Sequence, residues 1–281
     1  ATVLGLEQVG IYDNFFELGG HSIKAMHLIF GIRTELKKNV SLQDVFIAPT
    51  IAKLATRLKT DFSTSLTPIE VLPPQPYYEV SNAQKRLWLI EQMTDNPIIY
   101  NMHVAYLLEG SVNVEALQNA LEAVVFRHES LRTVFTLVAG ELKQKILSNI
   151  ARPLEVIDLT NIAEPMEKAR QYYRQEAATP FDLQTGPLFR AKLLTLSAPA
   201  DDNQPETHIF IINAHHLIFD GWSTNILYQE ILELYRGSCQ NQAPNLPYLR
   251  IQYKDYAAWL NQLLTSDAIN PHRDYWLKTL S

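Results

Sequence analysis

Apolar residues recur at helical spacing along the first part of the chain, and short polar stretches separate the segments that they define. Residues three or four positions apart share one face of a helix, so this pattern predicts amphipathic helices. Helices are predicted over Ser22–Leu36, over a short turn that Ser41 caps, and after Pro49 and Thr50. The first part of the chain is therefore expected to be all-α.

A stretch rich in proline and small polar residues follows these helices. Four prolines, Pro68, Pro73, Pro74 and Pro76, stand close to several serines and threonines. Such a sequence sustains neither a helix nor a strand. It predicts a linker over residues 61–76, between one domain over residues 1–60 and a second over residues 77–281.

Helical and strand patterns alternate after the linker, which predicts an α/β domain. Helices are predicted over Ser81–Met93, Val114–His128, Glu164–Ala178 and Ser223–Arg236, with Gly237 ending the last of them. Strands are predicted over Asn101–Leu108, Leu188–Leu196 and the apolar run His208–Ala214. A hairpin is predicted from Thr133–Val138 to Leu142–Leu147 through Ala139–Gly140, and a polar loop over Ala198–Glu206.

Composition narrows the classes of function. Hydrophobic residues make up 47% and charged residues 19%, which favours folded globular domains. The net charge of −6 comes with no dense Lys/Arg stripe, which argues against nucleic acid as a partner. Cys239 is the only cysteine, which suits a reducing cytosol, and no apolar run reaches the roughly 20 residues of a membrane helix. We expect a cytoplasmic chain without membrane contact, cut at both ends because it opens on Ala1 and lacks a recognisable stop.

One candidate site lies at the start of the first predicted helix. The segment Asp13–Ser22 reads Asp-Asn-Phe-Phe-Glu-Leu-Gly-Gly-His-Ser, so two glycines precede a serine at a helix N-terminus. Helix N-termini expose unpaired N–H groups and favour negative charge, so Ser22 is suited to carry a phosphodiester. The residues alone leave a second interpretation open, in which Ser22 only caps the helix.

A second candidate site follows the apolar strand, at Ala214-His-His-Leu-Ile-Phe-Asp-Gly-Trp-Ser223. Three interpretations are open for its histidines. The first is acyl transfer, with one histidine as a base or an amine-orienting group, since histidine exchanges protons near neutral pH. The second is a metal site of His215, His216 and Asp220, although adjacent strand residues point to opposite faces. The third is structural, with both histidines buried and held by hydrogen bonds.

The segment ending at Ser22 resembles the core motif of peptidyl carrier (thiolation) domains of nonribosomal peptide synthetases. The resemblance covers contiguous positions from Asp13 to Ser22. It implies that Ser22 receives 4′-phosphopantetheine from coenzyme A and then holds aminoacyl or peptidyl groups as thioesters. It also implies a four-helix bundle, from which most of the first helix is missing here.

His-His-x-x-x-Asp-Gly resembles the signature of condensation domains, relatives of the chloramphenicol acetyltransferase superfamily. Three further segments resemble the opening, second and fourth motifs of that family, in the family's order: Ser81–Trp88, Arg127–Phe135 and Tyr253–Trp259. The resemblance implies an α/β chloramphenicol-acetyltransferase-like lobe, of which the second copy is missing, and amide formation between a donor thioester and a carrier-bound amine. The Ser-x-Ala-Gln-x-Arg opening resembles the subclass that accepts an L-configured donor.

The same resemblance implies a role for each site residue. His216 is the principal catalytic residue, and His215 supports it. Asp220 has a structural role through an ion pair with an arginine, either Arg132 or one beyond residue 281, and Gly221 lines the reaction site. Arg86, in the opening motif, has a supporting role, and no metal is expected.

The implied partners are the other parts of an assembly line. They are carrier-bound aminoacyl or peptidyl thioesters, an upstream adenylation domain, downstream adenylation and carrier domains, and a phosphopantetheinyl transferase. Two alternatives remain: a fragment that binds carriers without catalysis because the second lobe is absent, and an epimerization relative. Product analysis separates a new amide, a bound carrier without turnover and an inverted stereocentre.

Overall fold

Helices occur where the apolar spacing predicts them in the first part of the computed structural model: α1 (Ser22–Leu36), α2 (Leu42–Ile47) and α3 (Ile51–Leu58). The structure describes residues 1–36, 38, 40–58, 68–148, 150, 152–197 and 205–281. Contacts divide the chain into two units, Ala1–Pro68 and Ile69–Ser281. Positions 61–67 of the predicted linker and 198–204 of the predicted polar loop lie outside the described residues.

The first unit is built around a small apolar core, with a short 3₁₀ turn (Thr2–Leu4) ahead of the three helices. Side chains from the three helices, from the segment before α1 and from the connections between the helices meet in it: Phe15, Ala25, Ile29, Val40, Val45, Ala48 and Leu54. Ser41 starts α2 as predicted, because its hydroxyl accepts the Asp44 N–H at 3.1 Å and the Asp44 carboxylate accepts the Ser41 N–H at 3.0 Å. This reciprocal capping satisfies two backbone donors that the helix start would otherwise leave unpaired.

The second unit alternates strands and helices, as the pattern predicts. Its elements are β1 (Tyr78–Glu79), α4 (Asn82–Met93), β2 (Asn101–Glu109), α5 (Val114–Arg127), β3 (Thr133–Val138), β4 (Glu141–Ile146), β5 (Leu154–Asp158), α6 (Pro165–Ala178), β6 (Phe189–Ser197), β7 (Thr207–His215), α7 (Gly221–Gln240), α8 (Tyr253–Thr265) and α9 (Asn270–Leu280). Short 3₁₀ turns lie at Glu129–Arg132 and Asp267–Ile269. The predicted α/β class is confirmed.

Two sheets organise the second unit. The larger has the order β2-β7-β6-β5, in which β5 runs parallel to β6 and the other pairs are antiparallel. The smaller has the order β1-β4-β3, and its β3–β4 pair is the predicted hairpin. Ala139 and Gly140 both adopt positive φ, 52° and 84°, the geometry of a two-residue hairpin turn.

Helices cover both faces of the larger sheet. One face packs α5 and α7 against side chains such as Leu193 and Phe210, while the other packs α6 against Leu194 and Ile211. Neighbouring residues of β6 and β7 therefore enter different clusters, as the alternation of a strand requires. Strand β7 is buried from His208 to His215 except at Ile209, so the apolar run is a buried central strand that delivers the chain to the histidine segment.

The sequence-based prediction of α7 is wrong at both ends. The helix begins at Gly221, where the Asp220 side chain caps it, and it continues through Gly237 to Gln240. A Cβ at Gly237 would lie 2.8 Å from the Gln242 carbonyl oxygen, so this glycine permits a close chain return rather than ending the helix. Asn241, with φ 51°, takes the left-handed C-cap conformation instead. Strands β1 and β5 and helices α8 and α9 were not predicted as elements.

Candidate functional site

The histidine segment lies at the end of the central strand β7. Backbone hydrogen bonds hold it on both sides, from the His215 N–H to the Leu188 carbonyl at 3.0 Å and from the His216 N–H to the Tyr100 carbonyl at 2.9 Å. The chain then turns, and the Ile218 N–H bonds to the His215 carbonyl at 3.0 Å. A strand end that is paired on both sides gives the following turn a rigid base.

His215 is fully buried, with 0% of its surface exposed. Its Nδ1 accepts the Leu217 N–H at 3.1 Å, and the rings of Tyr100 and Phe181 lie edge-on to the imidazole. Its Nε2 lies 2.8 Å from a Glu91 carboxylate oxygen, although neither atom has a partner in full hydrogen-bond geometry. A buried polar atom left unpaired costs about 1–3 kcal/mol, so this close approach is the pairing available to both groups.

His216 has the opposite environment. It is exposed at the first position of the turn, and among the described residues no hydrogen bond or ion pair involves its imidazole. The two adjacent histidines therefore differ: one ring is packed inside the domain and the other is presented to solvent. An exposed imidazole on an anchored backbone is available to exchange a proton with a substrate.

Asp220 starts helix α7. One carboxylate oxygen accepts the Ser223 N–H at 2.8 Å and the Ser223 hydroxyl at 2.6 Å, which is N-cap geometry. The structure does not bring Asp220 to Arg132, whose guanidinium donates to the Leu147 carbonyl at 2.8 Å and lies 3.7 Å from Glu129. The structural role expected for Asp220 thus comes from helix capping within the described residues, not from that ion pair.

We expect Asp220→Ala to lower the free energy of unfolding by about 1 kcal/mol, because it removes the cap of α7. Asp220→Ser should retain most of the stability, since serine is an equally good cap. Urea unfolding of the full chain measures both changes. Combining Asp220→Ala with Arg132→Met should give additive losses, and a clearly non-additive double variant would restore the ion-pair interpretation.

Gly221 is the first residue of α7. A Cβ built at this position meets no atom within 4 Å, and its φ is not positive, so neither crowding nor backbone conformation within the chain requires glycine there. The position is exposed. Its expected contact with reactants stays a prediction, and the open space beside it leaves room for them.

The opening motif holds the histidine turn through a hydrogen bond from Gln84. The buried Gln84 side chain donates to the Leu217 carbonyl at 3.2 Å and caps its own helix together with Ser81. The Ser81 hydroxyl lies 2.9 Å from the Tyr253 hydroxyl, at the start of the fourth motif. Burial raises the pKa of Tyr253, with the negative charge of Asp220 adding to the effect, so its phenol is neutral and available as a hydrogen-bond donor.

The second and fourth motifs meet through Gln252. Its side chain accepts the Glu129 N–H at 3.1 Å and donates to the Arg127 carbonyl at 3.0 Å. Arg127 and His128 both contact Glu230 of α7, at 3.0 and 2.6 Å. These contacts fix α7, the helix that follows the histidine turn, against α5. Sequence reasoning did not single out Glu91, Tyr100, Glu230 or Gln252, which have no local signal.

Arg86 is exposed on α4, and no ion pair or hydrogen bond involves its side chain among the described residues. Its supporting role stays a prediction. In the same described part of the chain, no group of three or more His, Cys, Asp or Glu residues is arranged to hold a metal ion. No helix there is long and apolar enough to cross a membrane.

Ser22 is the first residue of α1 and is exposed. The Ala25 N–H bonds to the His21 carbonyl at 2.8 Å, so His21 holds the capping position and Ser22 does not. Among the described residues the Ser22 hydroxyl makes no hydrogen bond, and the first turn of α1 contains no acidic residue. A free hydroxyl at a helix N-terminus, with no carboxylate in the first turn, fits a phosphodiester.

Gly19 and Gly20, which precede this serine in the motif, are glycines for different reasons. Gly19 adopts a positive φ of 84°, which favours glycine. A Cβ at Gly20 would lie 2.4 Å from the ring and the carbonyl oxygen of Phe15, so only glycine allows the chain to pass that close. The Phe15 ring is part of the core of the first unit. The motif therefore anchors the serine loop to the core and leaves the hydroxyl outside.

Comparison with known proteins finds two families along the chain. Residues 75–281 match the model of the family described as "Condensation domain", and residues 1–58 match the one described as "Phosphopantetheine attachment site". The first match alone covers more than half of the chain.

Among curated relatives, tyrocidine synthase 3 of Brevibacillus parabrevis is 39% identical over the whole chain, and gramicidin S synthase 2 of Aneurinibacillus migulanus is 38% identical over 99% of it. The chain spans only 4% and 6% of the length of these two relatives. A solved structure, the starter condensation domain of a rhizomide synthetase, has a TM-score of 0.65 and 26% identity over 73% of this chain and 48% of its own.

Proposed function

This chain belongs to the condensation-domain family, with a phosphopantetheine attachment domain ahead of that domain, and on that premise we propose that it forms amide bonds in nonribosomal peptide synthesis. The donor is an aminoacyl or peptidyl thioester, and the acceptor is an amine bound to a downstream carrier. One observation carries the proposal: the exposed His216 imidazole stands on a turn that His215, Tyr100 and Gln84 hold in place.

We assign residues 1–60 to the carrier domain, 61–76 to a linker and 77–281 to the condensation domain. The division between Pro68 and Ile69 supports this assignment. Helices α1–α3 are assigned to three of the four helices of a carrier bundle, and the second unit to a chloramphenicol-acetyltransferase-like lobe of the L-donor subclass.

The carrier domain is proposed to bear 4′-phosphopantetheine on Ser22. When attached, this group supplies a terminal thiol that holds the acyl group as a thioester. The protein contributes an exposed serine hydroxyl with no competing partner among the described residues, and backbone N–H groups of the first turn of α1 that favour the phosphodiester charge. A phosphopantetheinyl transferase is the partner that loads it.

His216 is proposed to act on the attacking amine. An α-amino group has a pKa of about 7.7–8.0, so much of it is protonated near pH 7, and it must lose that proton to solvent before its lone pair can attack. The nitrogen of the neutral amine then bonds to the thioester carbonyl carbon and becomes positively charged. The His216 imidazole takes one proton from this nitrogen, the carbon–sulfur bond breaks, and the imidazole gives the proton to the departing sulfur. Holding the two reactants together lowers the barrier further, because it removes the cost of a bimolecular encounter.

The remaining site residues are proposed to shape the surroundings of this step. Asp220 and His215 hold the turn and the helix after it, and Gly221 leaves space for the reactants beside α7. Arg132 ties the turn before β3 to the Leu147 carbonyl, which supports the second motif. Arg86, exposed on α4, is assigned to a supporting contact. Adenylation domains and carriers are the proposed partners, in the cytoplasm, without nucleic acid.

The test uses the intact polypeptide that carries this chain. Its carriers are loaded with a labelled donor and a labelled acceptor, and the carrier-bound products are released and identified. We expect a dipeptidyl product that requires both loaded carriers. Inversion of the donor stereocentre without a new amide would favour the epimerization alternative, and retention of both unreacted acyl groups would favour a carrier-binding role.

A further inference from the structure

The buried carboxylate of Glu91 contacts His215 of the histidine turn, and Glu91 belongs to none of the recognised motifs. Glu91 lies in the last turn of α4, and only 7% of its side chain is exposed. Its carboxylate oxygen lies 2.8 Å from Nε2 of His215, whose own side chain is completely buried. Among the described residues, neither of these two atoms has a partner in full hydrogen-bond geometry, so the 2.8 Å approach is the contact that each makes.

The hydrogen bond to the other ring nitrogen indicates the tautomer of His215. Nδ1 accepts the Leu217 N–H at 3.1 Å, so it must carry a lone pair rather than a proton. The single proton of the neutral ring then lies on Nε2, the atom that faces Glu91. A doubly protonated ring would set an N–H against the Leu217 N–H, and the other neutral tautomer would do the same.

This tautomer matters because the turn that displays His216 is built on His215. The Leu217 N–H bonds to the His215 ring, and the Ile218 N–H bonds to the His215 carbonyl at 3.0 Å. His216 stands between these contacts. If the ring rotated or changed tautomer, the Leu217 N–H would lose its acceptor inside the domain.

The aromatic neighbours of His215 do not supply an acceptor for its Nε2 proton. The other rings against the imidazole, Tyr100 and Phe181, meet it edge-on at centroid distances of 6.2 and 6.0 Å and form no hydrogen bond with it among the described residues. The Arg190 guanidinium lies 3.8 Å from the centroid of the Phe181 ring and forms an ion pair with Glu176 at 2.6 Å, so that cation is already engaged. Glu91, at 2.8 Å, is thus the acceptor that lies beside Nε2 among the described residues.

We propose that Glu91 is a positioning residue of the condensation site: it accepts the Nε2 proton of His215, fixes that tautomer, and so holds the turn that presents His216. The consequence for the reaction rests on the proposed function, whereas the tautomer itself does not. A carboxylate is required only as an acceptor, so a glutamine that offers its carbonyl oxygen should replace it largely, and an apolar side chain should not.

The experiment compares Glu91→Leu with Glu91→Gln, and with Gln92→Ala as a matched control on the exposed side of the same helix. Nitrogen-15 shifts of the histidine rings in the full chain report the tautomer of His215 directly. In the wild type we expect a neutral ring protonated on Nε2, retained in Glu91→Gln and Gln92→Ala and lost in Glu91→Leu. A wild-type ring that is doubly protonated or protonated on Nδ1 overturns the proposal, even where a variant fails to fold. A folded Glu91→Leu that keeps the wild-type tautomer overturns it as well, because the Leu217 N–H alone would then fix the ring.

Amide formation by the same variants in the intact polypeptide gives the second readout. We expect Glu91→Leu to lower kcat by about 10- to 100-fold with little change in KM, the scale of a small misplacement of a reacting group. Glu91→Gln should restore most of that rate. An unchanged kcat in Glu91→Leu would sink the positioning role. A wild type without amide formation would instead count against the proposed function, and the nitrogen-15 result would still decide the Glu91–His215 pairing.

Discussion

His216→Ala is expected to slow amide formation by about 10²–10⁴-fold, the range over which a positioned acid–base group contributes to catalysis. The imidazole is exposed at the end of β7 and has no side-chain partner among the described residues, so it is available to the reactants. The measurement is the rate of dipeptidyl-thioester formation by the intact polypeptide, with both carriers loaded in advance so that only the condensation step is observed.

The adjacent histidine provides the matched control. His216→Ala removes no internal contact of the side chain, so the free energy of unfolding should stay unchanged. His215→Ala should lower it by about 2–4 kcal/mol, because it removes a fully buried ring and leaves the Leu217 N–H without its acceptor. Full turnover in a folded His216→Ala variant would remove this residue from the mechanism, and a destabilised variant would show that its exposure has been misjudged.

Local patterns in the sequence located most of the fold. The helix starts at Ser41 and Ser81 carry their own caps, so the signal and the structure lie within four residues of each other. The end of α7 was predicted wrongly. Gly237 is glycine because the backbone at Gln242, beyond the end of the helix, packs against it, and not because the helix ends there. Strand β5 has exposed residues at Glu155, Val156 and Asp158, and its pairing with β6 comes from distant sequence.

The candidate site divides in the same way. The motifs identified exposed residues, such as His216, and several residues that hydrogen-bond to the histidine turn, such as Gln84. The motifs did not identify the buried residues that contact the motif side chains. Glu91 and Glu230 are carboxylates on helices with no unusual neighbours in sequence, and only the packing of α4 and α7 brings them to His215 and His128. Resemblance assigned Asp220 an arginine partner, whereas the described structure assigns it the helix cap.

Ser22→Ala is expected to abolish loading of the carrier domain completely. The serine hydroxyl is the atom to which the arm would be bonded, so its removal leaves no group to modify. It is also expected to leave the fold intact, because Ser22 is exposed and its hydroxyl makes no hydrogen bond among the described residues. Incubation of the full chain with coenzyme A and a phosphopantetheinyl transferase, followed by intact mass, measures the loading.

Ser41 is the informative comparison, since it is another serine at a helix start of the same unit. Its hydroxyl is engaged, accepting the Asp44 N–H at 3.1 Å and donating to the Asp44 carboxylate at 2.6 Å. Ser41→Ala should therefore cost about 1 kcal/mol of stability through the lost cap while loading as fully as the wild type. The two variants should therefore have opposite effects: Ser22→Ala loses the phosphopantetheine arm and keeps its stability, and Ser41→Ala keeps the arm and loses stability. Loading of Ser22→Ala, or an unloaded wild type, would refute the assignment of the free hydroxyl as the attachment point.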